Sequence, residues 1–194
     1  MKKLLILALI IFAKSAFAQK DTVGLNIPFA NNTIVYEKVI DVPNTPKNLL
    51  FGNAGLWLAE THPYVADTQF QLQLQLEDPI LSRVVGRVNY STTESNKFFL
   101  STFYDTYTCN FILQIDCKDN KYRIRIYNIQ DVGNTTYTPV EKLMYALIDS
   151  KSYTFADGGI LKVADLQNRF KTLNTIVSNL ITDITKSMTV DNSF

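Results

Sequence analysis

Between Tyr107 and Lys118 the side chains alternate almost without a break. Tyr107, Cys109, Phe111, Leu113, Ile115 and Cys117 fall on one side and Thr108, Asn110, Gln114, Asp116 and Lys118 on the other, with only Ile112 out of character. A period of two marks a strand with one dry and one wet face. Asp119-Asn120 supplies a two-residue turn, and the returning limb sets Tyr122, Ile124 and Ile126 against Arg123, Arg125 and Tyr127. Such a loop fixes the register: Cys117 meets Tyr122, Ile115 meets Ile124 and Leu113 meets Ile126, while Asp116 meets Arg123 and Gln114 meets Arg125 on the reverse side. Both faces agree, so this hairpin is the predicted centre of the fold.

The remaining pattern supplies more strands and three helices. Thr33 to Val42 is rich in β-branched residues and predicts a first strand ended by Pro43. A helix follows, with Thr45 as its cap, Pro46 at its first position and Leu50, Phe51, Ala54, Trp57 and Leu58 on one side. Gly52 and Gly55 weaken it by about 1 kcal/mol each, for no reason visible in the sequence. Phe70, Leu72, Leu74 and Leu76 alternate with glutamines in a half-buried strand. A three-residue loop through Glu77-Asp78-Pro79 would set Leu72 opposite Val84 and Gln73 opposite Arg83. Thr92 to Lys97 reads as a loop, and Phe98, Phe99, Leu100, Phe103 and Tyr104 as a short aromatic strand under a helix or an exposed platform for a sugar or peptide. Thr138-Pro139-x-Glu141 has the form of a capping box opening a helix over 139–149. From Ile160 to Met188 a long helix carries Leu166, Phe170, Leu173, Val177, Leu180 and Ile184, a stripe that Ile176 and Ile181 widen. A wide stripe suits a helix lying across a sheet, and a length of roughly 40 Å leaves part of it to overhang or to mediate self-association.

The expected architecture is therefore α+β in two layers, an antiparallel sheet of five to six strands with helices packed on one face. The expected boundaries are a leader over 1–18, a flexible arm over 19–32 and a single domain over 33–194, with a core at 33–130 and C-terminal helices at 138–188. The leader is expected because Met1-Lys2-Lys3 precedes an apolar run from Leu4 to Ala13 and a small-x-small site at Ala16-Phe17-Ala18. Such a run is too short to span a bilayer, so the expected mature chain is exported, periplasmic or extracellular, without a transmembrane segment. The chain carries 19 basic and 18 acidic residues; without Lys2, Lys3 and Lys14 the balance is 16 against 18, a net −2. That balance and export both argue against nucleic acid as a partner.

Candidate chemistry is sparse. Cys109 and Cys117 are eight positions apart on one dry face, roughly 26 Å at about 3.3 Å per residue, too far for a disulfide; both are expected to be free and buried. No motif for a metal, a cofactor or a nucleophile stands out, and His62, the single histidine, reads as an exposed helix end. Two function classes remain. The first is a non-catalytic binding module of the envelope whose candidate ligand face is Gln71, Gln73, Arg83, Arg87, Gln114, Arg123 and Arg125, suited to a protein, an acidic peptide or a glycan. Ordinary solvation of a sheet would present the same residues. The second is an envelope hydrolase assembled from loops near His62, Asp67 and Asp105.

The order of a strand, a helix with Trp57-Leu58, then Arg83-Val84-Val85-Gly86-Arg87, then Tyr122-Arg123-Ile124-Arg125, resembles an exported bacterial family of unknown function with a fold like that of the TATA-binding protein. The resemblance covers roughly Ile34 to Ile129 and implies an antiparallel sheet backed by helices. It brings no functional residues, and charge and export argue against a DNA-binding role for this sheet.

Overall fold

The computed structural model describes residues 24–59, 68–98, 101–133 and 136–189, with side chains described for all of these except 68, 69, 94–98 and 101–105. The described elements run β1 (Phe29–Ala30), β2 (Thr33–Ile34), β3 (Tyr36–Asp41), α1 (Lys47–Ala59), β4 (Thr68–Asp78), β5 (Arg83–Phe98), β6 (Ser101–Lys118), β7 (Lys121–Val132), β8 (Tyr137–Pro139), α2 (Val140–Ile148), β9 (Tyr153–Thr154), β10 (Ile160–Leu161) and α3 (Val163–Met188). The protein is α+β. Strands β3, β7, β6, β5 and β4 lie in that order in one antiparallel sheet, β8 adds to β7, and the helices back the face carrying the core.

The central hairpin has the register its alternation predicts. Leu113 faces Ile126, Ile115 faces Ile124 and Cys117 faces Tyr122, with Asp116 opposite Arg123 on the other side. Every odd residue of β6 from Tyr107 to Cys117 is buried. Asn120 takes the left-handed conformation (φ 65°) in the two-residue turn. One irregularity then changes the parity of β7. Ile112 faces Tyr127 but Asn110 faces Gln130, so β7 carries one extra residue, Asn128, at φ 52°. This β-bulge turns Ile129 and Asp131 inward and Gln130 outward. Asp131 is wholly buried and meets Arg169 of α3 at 2.6 Å; the same guanidinium lies 5.3 Å from the centre of the Tyr107 ring.

Several expectations are corrected. The β4–β5 turn is four residues, Pro79–Ser82, with Asp78 opposite Arg83, because Ser82 adopts φ 50° and the Asp78 carboxylate accepts the Leu81 N–H. Leu72 therefore faces Val88, and Gln73 faces Arg87. A second bulge at Gln75 then puts Leu76 on the outer face, opposite Val85. Thr92 to Lys97 is strand, so β5 and β6 form one long hairpin. The arm expected over 19–32 is packed from Leu25 onward: Leu25 and Ile27 are buried, and the Asn174 side chain donates to the Leu25 carbonyl. Thr45 does not cap α1; the Lys47 N–H donates to the Asp119 carboxylate at 2.9 Å, so the β6–β7 turn supplies the cap and its negative charge meets the helix N-terminus. The capping box at Thr138 does not form either, because Glu141 instead accepts the Ile34 N–H at 3.1 Å. The long helix starts at Val163, after Ile160–Leu161 has paired with β9.

Helix α3 is fixed across the layer by both kinds of contact. Its stripe from Leu166 to Met188 is buried within the chain. Tyr36 donates to Asn174 at 2.6 Å and the Trp57 indole donates to Asp183 at 3.0 Å, tying β3 and α1 to the same helix.

Two outcomes test this packing. Gly52 is exposed in the interior of α1, and a Cβ there would meet no heavy atom within 4 Å, whereas one at Gly55 would lie 3.3 Å from a Glu77 oxygen. Gly52→Ala should stabilise the protein by about 0.5–1 kcal/mol, read as a raised denaturation midpoint; a lowered one would mean that α1 is not helical there. Cys109 and Cys117 are both free and buried. Burial, then neighbouring carboxylates (Asp131 and Asp116 respectively), push both thiols up to about 12. Neither should react with iodoacetamide at pH 8 in the folded protein, and both should react once it is unfolded without reductant; rapid labelling of the native chain would show the dry face to be open.

Candidate functional site

The outer sheet face is built in rows, because strand pairing sets side chains of the same parity side by side. One row is Asp78, Arg83, Asp116, Arg123 and Val39; the next is Leu76, Val85, Gln114, Arg125 and Glu37. These two rows close on themselves. Asp116 accepts from Arg83 Nε at 2.5 Å, from Arg123 Nη2 at 2.8 Å and from Gln114 Nε2 at 2.9 Å. Gln114 accepts in turn from the Tyr127 hydroxyl at 3.2 Å, and Arg125 pairs with Glu37 at 3.1 Å. Burial alone would raise the Asp116 carboxyl, but the hydrogen bonds from Arg83, Arg123 and Gln114 outweigh it and hold it below the usual carboxylate range.

Beyond these rows the face changes character. Gln73, Arg87, Ile112 and Tyr127 form a third row, and Gln71, Asn89, Asn110 and Gln130 a fourth. The fourth is a line of carboxamides drawn from four adjacent strands, about 14 Å long at roughly 4.8 Å per strand. Past it Ser91 and Thr108 share a hydrogen bond of 2.9 Å. Tyr137, 64 % exposed on β8, stands at the rim. Together these residues border a groove of about 510 Å3 over Gln73, Arg87, Asn89, Asn110, Asn128 and Gln130, continued by one of about 300 Å3 over Gln71, Ser91 and Thr108. Asn89, Asn110 and Tyr137 line both.

The candidate face read from the sequence is thus divided. Gln71, Gln73 and Arg87 line the groove, while Arg83, Gln114, Arg123 and Arg125 are engaged by Asp116, Tyr127 and Glu37. Asn89, Asn110, Asn128, Gln130 and Tyr137 went unrecognised. The alternation of β5 and β6 already places Asn89 and Asn110 on the wet face, but no pattern announces the bulge at Asn128 that turns Gln130 outward or the pairing of β8 that brings Tyr137 alongside. Of the loops proposed for a hydrolase, His62, Asp67 and the Asp105 side chain lie outside the described residues. The groove residues include no carboxylate, histidine, cysteine or lysine; they supply carboxamides, the hydroxyls of Ser91, Thr108 and Tyr137, and the Arg87 guanidinium. Among the described residues no three His, Cys, Asp or Glu cluster as metal ligands, and no helix is long and apolar enough to cross a membrane.

Residues 36–131, which hold the sheet from β3 to the buried Asp131, match the model of a domain of unknown function, DUF4468, with a TBP-like fold. The 36–131 segment belongs to the DUF4468 family. A crystal structure of a DUF4468 family protein from Bacteroides ovatus ATCC 8483 superposes with a TM-score of 0.61 at 16% identity, covering 90% of this chain and 98% of that one. A TBP-like protein from Parabacteroides distasonis ATCC 8503 gives a TM-score of 0.53 at 18% identity, covering 84% and 96%. At such identities the likeness is one of fold. Its extent reaches well past the DUF4468 segment, so the TBP-like fold is shared with part of what flanks the segment too. Among curated proteins none matches the chain.

The Asp116 network carries a pH dependence. A carboxyl with a lowered folded value contributes stability that is complete above the ordinary carboxylate range and lost as pH falls through that lowered value. Asp116→Asn should cost about 1–2 kcal/mol at pH 7 and flatten the acid limb of the stability curve, measured by denaturant unfolding from pH 7 to 3. An unchanged acid limb would assign the dependence to other groups.

Proposed function

We propose that this DUF4468 protein is an exported, non-catalytic binding module of the cell envelope whose ligand is a short glycan held in the carboxamide groove. Export is supported by the leader pattern of residues 1–18, with periplasmic or extracellular release after Ala18. The observation that carries the binding reading is the row Gln71, Asn89, Asn110 and Gln130. Each carboxamide both donates and accepts, as sugar hydroxyls and acetamido groups do, so a row of four matches a saccharide without a charge on either side. The exposed Tyr137 ring offers an apolar face for a pyranose to stack on, and Arg87 offers one contact for an acidic substituent. An extended peptide fits less well, because the carboxamide row crosses the face of four paired strands and offers it no run of free main-chain groups.

Titration calorimetry with N-acetylhexosamine oligosaccharides, with and without a carboxylate, tests this. Binding is expected for both, tighter for the carboxylated one. The paired change Asn89→Ala and Asn110→Ala should weaken both by about tenfold or more, near 1.4 kcal/mol, and Arg87→Ala should remove only the preference. Absence of binding by every saccharide, or binding untouched by the paired change, would exclude the reading.

A further inference from the structure

The two edges of the main sheet are unlike. Edge strand β3 is six residues long and carries Glu37, Lys38 and Asp41, the charged flanks by which exposed edges avoid pairing with other chains. Edge strand β4 is eleven residues long and has no charge from Thr68 to Leu76. Among the described residues no strand pairs with its outer side. Apolar side chains gather at the same strand and its turn: Leu74 and Leu76 are about half exposed, and Leu81 and Ile80 in the following turn are more so. The bulge at Gln75 sends Leu74 to the helix side and Leu76 to the outer side, so both faces of the edge are apolar at that point.

We infer that β4 is a self-pairing edge, on which a second copy of this chain docks its own β4 antiparallel about a two-fold axis. The argument for a second copy lies in the strand's own pattern. A strand added here must be uncharged and must alternate apolar side chains on the helix side with polar ones on the outer side. The stretch Gln69-Phe70-Gln71-Leu72-Gln73-Leu74 has that alternation. In a two-fold antiparallel pair the facing residues have numbers of equal parity, so every glutamine meets a glutamine, and Phe70, Leu72 and Leu74 meet one another. The pairing also closes: it uses up both β4 edges and leaves the side of each sheet that carries β3 and β8 outside, whereas a foreign strand would expose a new edge. Independently of what the groove holds, Gln71 ends the carboxamide row at this edge, so the row of one copy would run toward that of the other.

The test uses the chain from Gln19 to Phe194, which contains every described residue. Light scattering after size exclusion, over a dilution series, should give a dimer. Leu74→Lys with Leu76→Lys should raise the dissociation constant at least tenfold while circular dichroism stays unchanged, and Val39→Lys on the opposite edge should leave it alone. Single cysteines placed in turn at Gln69, Gln71 and Gln73 should include at least one that forms a disulfide between copies. A monomer at every concentration, including one that captures a foreign extended peptide, overturns the inference. So does a dimer indifferent to the paired lysines, one broken by Val39→Lys, or one that none of the three cysteines cross-links.

Discussion

The structure depends on the parity of β6. This strand is paired on both sides, with β5 and with β7, so neither neighbour can slip by one residue without exchanging its faces. Five of its six inward residues from Tyr107 to Cys117 are 3 % exposed or less, a burial that would be lost wholesale in any odd register. At about 1.5–3 kcal/mol for each of Phe111, Leu113 and Ile115, that loss is comparable with the whole stability of an ordinary domain, about 5–15 kcal/mol. The same parity decides that Asn110, Ile112, Gln114 and Asp116 face outward. Core and outer surface are therefore not independent features of the sequence.

The bulge at Asn128 modifies this constraint with consequences in both layers. Without it, Asp131 would face the solvent and Gln130 the core. With it, Asp131 reaches the buried position where Arg169 of α3 meets it, and Gln130 completes the row of carboxamides. A buried acid is tolerated only with a partner at hand, and Arg169 brings one while its guanidinium also lies over Tyr107. One residue in a left-handed conformation thus locks the long helix to the sheet and extends the groove. Asparagine suits the position because, after glycine, it enters that region at least cost.

What the sequence discloses follows from the range of the interactions involved. Register in the β6–β7 hairpin was legible because a two-residue turn and matched pairs on both faces are local, and the strand and helix order around it was legible for the same reason. The β4–β5 register was not, since Ser82 at positive φ adds a residue to the turn that composition does not signal. Capping of α1 by Asp119 and capture of Glu141 by Ile34 join residues 72 and 107 positions apart, and each takes the place of a local cap predicted from the sequence. The candidate face was half legible. Parity sets its residues on one side of the sheet, but parity cannot say that Gln114 is buried there beneath its neighbours, nor which of two arginines already has an acid in reach.

That distinction decides what kind of ligand the face suits. An acidic group approaching Arg83 or Arg123 has to compete with Asp116, which is mostly buried and holds three donors at once. Removing one partner from such an arrangement costs more than a new, solvent-exposed ion pair returns, since the exposed pair contributes about 0–1 kcal/mol and a hydrogen bond to a charged group about 1.5–3. The arginines that look most like an anion site are therefore occupied by the fold. Arg87 and the carboxamides beside it have no such internal acid within reach among the described residues. Charge concentrated at one end of the sheet is consumed in holding neighbouring strands together, and the carboxamide row lies outside that network.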